Sequence, residues 1–209
     1  MVLPLYLAMT GAEMCTIPHP AYLMADWSDR PPAGVLPVIT DRQPLTEQAV
    51  DELCRMAENW DLALLDFEKP VTPEVRRLLE RLPCPAAAPP GYSDIGPVFL
   101  PPAPLHVPLD AYLSPWHGRD IWLETALQKQ TITVTEAGTT FSAPSPAGNL
   151  SGGFHDEILH CRFTQKFFPD RAVFTLFDTP ETLIEKLDHA AVLGISRAVG
   201  LYQELGGTL

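Results

Sequence analysis

The chain is short of positive charge. Fourteen Lys and Arg stand against 26 Asp and Glu, a formal net charge of −12 over 209 residues. Nucleic acid and anionic membrane surfaces are bound by clustered cations, so neither is expected as a partner. Cysteine is scarce as well: Cys15, Cys54, Cys84 and Cys161 are scattered, with no Cys-x-x-Cys pair. That spacing excludes a zinc ribbon and argues against a disulfide framework. No apolar run is long enough to span a membrane, and the first nine residues carry no basic leader, so a cytoplasmic chain is expected. A Gly-x-Ser-x-Gly elbow is missing, and Gly152-Gly153 and Gly206-Gly207 lack the surroundings of a phosphate loop.

What is present is apolar residue and proline. A hydrophobic content of 46% suits one globular domain over residues 1–209. Nine of the 23 prolines crowd residues 83–108, where they rule out a long helix. Val98, Phe99, Leu100, Leu105 and Val107 still supply core material there, which predicts short strands and loops.

Three helices are signalled. Val50, Leu53, Cys54 and Ala57 form one stripe over 46–58. Thr72-Pro73-Glu74 and Thr179-Pro180-Glu181 each place a capping hydroxyl before a proline at the first helical position. The second of these helices is expected to stop at Gly194. Candidate strands fall at 3–9, 21–25, 35–40, 62–67, 84–88, 98–100, 172–177 and 195–201. Strands alternating with capped helices predict the α/β class and an abbreviated or distorted (β/α)8 TIM barrel, because 209 residues leave too little chain for eight outer helices. A β-hairpin insertion is expected at about 119–143, followed by a loop at 144–153.

The most informative stretch is Asp61-Leu-Ala-Leu-Leu-Asp66-Phe-Glu68. Side chains alternate along a strand, so Asp66 and Glu68 share a face with Leu64 and Leu62. On spacing alone two readings stand: a buried strand that emerges into solvent, or a barrel strand delivering two carboxylates to a catalytic face.

The stretch resembles the Asp-x-x-Asp-x-Asp-x-Glu signature that ends the fourth barrel strand of family-18 glycoside hydrolases, the chitinases and endo-β-N-acetylglucosaminidases. Asp61, Asp66 and Glu68 match its first, third and fourth acids, and Leu64 replaces the second. The signature also falls on the fourth of the eight candidate strands. The resemblance implies substrate-assisted hydrolysis of β-linked N-acetylglucosamine glycans with retention, without a cofactor or metal. Glu68 would be the acid and Asp66 the partner of the substrate's acetamido group; an acid at position 64 would share a proton with Asp66. Phe67 stands where Trp or Tyr is usual, and no Met-x-Tyr-Asp follows. The alternative is a barrel without catalysis that binds a saccharide or a protein.

Tyr6, Asp26, Trp27, Tyr92 and Asp94 are candidate sugar contacts at strand exits. His155 is a candidate groove contact, and Tyr202 with Glu204 follow the last strand. An aromatic at a strand end equally serves packing. His155-Asp156 and His160-Cys161 carry metal-ligating types, but no flanking ligand pattern supports a metal site.

Overall fold

The computed structural model describes residues 3–10, 17–92 and 96–205. Eight parallel strands make the body of the molecule. In chain order they are β1 (Leu5–Met9), β2 (Pro20–Leu23), β3 (Leu36–Thr40), β4 (Ala63–Asp66), β5 (Ala86–Ala87), β6 (Val98–Leu100) and β7 (Ile121–Glu124), with β14 (Arg197–Leu201) coming last. β1 to β5 pair in succession, β6 pairs with β7, and β14 pairs with both β7 and β1. At the remaining seam Ala88 N–H donates to Pro97 O at 3.2 Å, and Phe99 N–H donates to Ala88 O at 2.8 Å. These two bonds and the Ala88–Val98 bridge bring the sheet nearly into a closed barrel of the α/β class.

Barrel strands tilt, so residues at one height come from alternate strands. The register places Tyr6, Leu36, Ala87 and Trp122 in the lowest interior layer and Ala21, Leu64, Phe99 and Val199 in the next. Ala8 and Val38 belong to the third layer. Glu124, two residues beyond Trp122 on the same face, joins them. Leu23 and Asp66 lie one layer higher, at the C-terminal mouth.

The outer layer is thin. Helices α1 (Glu47–Ala57) and α2 (Pro73–Arg81) cover β3 and β4 through Ile39, Val50, Leu53, Leu65, Val75 and Leu78. On the other side α3 (Leu109–Leu113) and α4 (Pro180–Val192) bury Leu100, Leu123, Ala190 and Ala198. Thr46, Thr72 and Thr179 cap α1, α2 and α4 as their side chains accept backbone N–H bonds. The second crossover, between β2 and β3, is a loop, as its prolines and short spacing predict; most of the first lies outside the described residues.

One strand assignment changes. The seventh barrel strand is Ile121–Glu124, whereas Ala172–Phe177 lies within β13 (Arg171–Phe177) of a second, antiparallel sheet. That sheet also holds β8 (Gln128–Thr135), β9 (Gly138–Phe141), β10 (Ser145–Pro146), β11 (Phe154–Asp156) and β12 (Cys161–Phe168). The antiparallel region therefore starts after Thr125 and runs to Phe177, beyond the 119–143 hairpin read from sequence, and β10 lies inside the 144–153 loop. Its inner face packs Cys161, Leu176, Ile132, Phe163 and Phe174 on Leu105 of the loop after β6. No helix among the described residues is long and apolar enough to cross a membrane.

Candidate active site

The mouth of the barrel is acidic. Leu64 is 1% exposed in the middle interior layer, and alternation brings Asp66 onto the same inward face at the end of β4. Phe67 is buried against the helices, and Glu68 is exposed just past the strand. Asp41, following β3, fixes this exit: its carboxylate accepts the backbone N–H groups of Glu68 at 2.9 Å and Lys69 at 2.6 Å. The Lys69 ammonium returns to the carbonyl of Asp41, and the Tyr92 hydroxyl donates to the carbonyl of Lys69. Tyr92 also meets the Phe67 ring edge-on at 5.9 Å.

From the far wall comes a carboxyl that the sequence reading had not singled out. Glu124 ends β7, and its pKa is pushed up to about 7 from 4.5, first by burial and then by Asp66, Glu204 and Glu68. Burial also raises Asp66, followed by the charges of Glu68 and Asp41, with Arg42 pulling the other way. Five acids, Asp41, Asp66, Glu68, Glu124 and Glu204, thus share one field at the C-terminal end of the barrel. A buried carboxyl among like charges is held neutral because ionisation would place uncompensated charge in a poorly solvated space.

Glu204 and Tyr202 arrive on α5 (Tyr202–Leu205), which folds back over the end of β14. Gly200 permits that fold: a Cβ there would press on Leu205 Cδ1 and meet the Thr125 carbonyl at 2.9 Å. Of the sequence candidates, Asp66, Glu68 and Glu204 are therefore brought together, with Tyr92 beside them and Tyr202 on the same short helix as Glu204.

The others lie elsewhere. Tyr6 sits in the lowest interior layer, tilted against His19 at 5.3 Å. It opens on a cleft of about 520 Å³ at the opposite end of the barrel, which Arg30, Glu52, Trp60, Asp61 and Leu62 also line. Asp26 closes its own turn by accepting from the backbone and hydroxyl of Ser28, which lower its pKa. Trp27 packs on the helix-facing core. His155 belongs to the antiparallel sheet, where its Nε2 lies 2.8 Å from the Glu185 carboxylate of α4. Asp94 lies outside the described residues. No group of three His, Cys, Asp or Glu among the described residues is arranged to hold a metal ion.

No protein-family sequence model matches this chain, and no curated protein matches it as a relative. Solved structures do resemble it. The Bacillus cereus spore cortex-lytic enzyme SleL aligns over 95% of this chain and 70% of its own, at 12% identity and a TM-score of 0.49. YdhD of Bacillus subtilis, described as a sporulation-specific glycosylase, aligns over 78% of each chain at 12% identity, with a TM-score of 0.46. The C-terminal domain of a chitinase-type protein from Desulfitobacterium hafniense aligns over 80% of this chain and 72% of its own, at 13% identity and a TM-score of 0.44.

Proposed function

We propose that this chain is a glycoside hydrolase-like barrel acting on β-linked N-acetylglucosamine glycans by substrate-assisted, retaining hydrolysis. One observation carries the reading: Asp66 and Glu68 leave the fourth strand of the barrel together, into a mouth walled by further acids. The Glu68 carboxyl would give its proton to the glycosidic oxygen as the C–O bond breaks, while the substrate's acetamido oxygen attacks the anomeric carbon. Asp66 would hold the acetamido N–H and offset the positive charge of the oxazolinium. Water would then open that ring, losing a proton to Glu68.

A second reading is a barrel that binds a saccharide or a protein without cleaving it. Leu64 favours it, since β4 itself offers Asp66 no acid neighbour below. Incubation with N-acetylchitotetraose, followed by chromatography of the products, separates the two. Shorter oligosaccharides from wild-type protein, and none from Glu68→Gln, support hydrolysis; binding without cleavage supports the second reading.

A further inference from the structure

Position 64 and position 66 bracket one interior layer of the barrel, and that layer contains Glu124. Leu64 lies in the layer of Ala21, Phe99 and Val199; Asp66 lies two layers above it; Glu124 enters between them from β7. The strand is held there by ladder bonds to β14, continued by Thr125 N–H donating to Val199 O at 2.8 Å. Below Glu124 on the same face is Trp122, 1% exposed, with the Arg197 guanidinium 4.8 Å from its ring centre.

We propose that Glu124 is a positioning residue of the acidic mouth, supplying from β7 the proton-sharing partner of Asp66 that β4 lacks at position 64. This rests on the hydrolase reading for its catalytic consequence, but the sharing itself is a property of the two side chains. Two carboxyls in adjacent interior layers, both poorly solvated, cannot both ionise cheaply. One proton serves the pair: while Glu124 holds it, Asp66 is the anion that faces the ligand.

The surroundings reinforce the pairing. Glu68 from the β4 exit and Glu204 from α5 add like charge to Glu124, and Asp41 adds it to Asp66. Tyr112 of α3 feels the charge of Glu124, its own hydroxyl donating to Pro101 O at 2.8 Å. The cations in the neighbourhood have other partners: Arg197 lies against Trp122, Arg42 acts on Asp66, Lys69 is turned to the carbonyls of Asp41 and Arg42, and Lys186, which lines one small cavity with Glu124, is bonded to Asp178 at 2.5 Å.

Carboxyl-13C NMR titration of the whole chain tests the sharing directly. One Glu signal should titrate near neutral pH, vanish in Glu124→Gln, and move to lower pH in Asp66→Asn. A Glu124 signal that titrates in the ordinary Glu range, or is unmoved by Asp66→Asn, overturns the proposal. With N-acetylchitotetraose as substrate, Glu124→Gln should lower kcat by about tenfold or more, leave KM within about twofold, and shift the alkaline limb of the kcat profile. An unchanged profile overturns the positioning role. If wild-type protein cleaves nothing while the NMR coupling is present, the hydrolase reading fails and the shared proton stands; if cleavage occurs without coupling, the reverse holds.

Discussion

The Asp41 carboxylate holds the chain at Glu68. It accepts both the Glu68 and Lys69 amides, tying the loop after β3 to the exit of β4. A turn whose amides are anchored this way presents its side chains in one orientation. Asp41→Ala should free that turn at a cost of about 1–2 kcal/mol in denaturant unfolding. Any hydrolytic kcat should fall by about tenfold or more, because small misplacements of a catalytic group are expensive. Unchanged kcat in the folded variant would mean that the turn does not set the acid's position.

Leu64→Asp tests the dry middle of the barrel. Leu64 is packed with Val38, Phe99 and Trp122, and an acid there would be buried one interior layer below that of Glu124. Urea unfolding should report a loss of several kcal/mol, the order of burying a polar group without a full set of partners. A variant as stable as wild type would show that water reaches this layer.

The pH dependence of stability follows from Glu124. Its folded pKa of about 7 lies above the ordinary 4.5, so between those values the folded chain binds more protons than the unfolded chain. Stability therefore falls as pH rises through that window. Glu124→Gln should remove this contribution, raising Tm relative to wild type at pH 8 but not at pH 4. Equal differences at both pH values would contradict a proton held at this site.

Gly200→Ala should disturb the mouth without touching an acid. The added Cβ would press on Leu205 and the Thr125 carbonyl, so α5, and with it Glu204 and Tyr202, would have to move. The expected result is a lower Tm together with a weaker response of the Glu124 titration to Glu204→Gln. A Tm equal to wild type would mean that α5 tolerates the shift.

Much of the architecture was legible because local signals agreed. Thr-Pro-Glu announced α2 and α4, and the alternation Leu62, Leu64, Asp66 announced β4 and its acidic exit. The seventh barrel strand was not, since Ile121 to Lys129 reads as one continuous run of strand formers. Parallel pairing of Ile121–Glu124 to β6 and β14, followed by antiparallel pairing from Gln128 onward, is decided by partners far along the chain. Ala172–Phe177 misled for a related reason: it feeds a capped helix like a barrel strand, although its neighbours are β8 and β12. Asp178, which follows it, is buried and bonded to Lys186 at 2.5 Å. Losing the strand meant losing Glu124. Its signal was nevertheless present, for Ile-Trp-Leu-Glu ends in an acid after apolar residues just as Leu-Leu-Asp does.

The most direct test of the central claim is Glu68→Gln assayed on N-acetylchitotetraose alongside a thermal melt. Glu68 is exposed at the mouth, so the substitution should leave Tm within about 1–2 °C. Wild-type protein should cleave the substrate, and the variant should lose about 10²–10⁴-fold in kcat, the usual contribution of a positioned acid. Wild-type cleavage that survives Glu68→Gln undiminished would contradict the account.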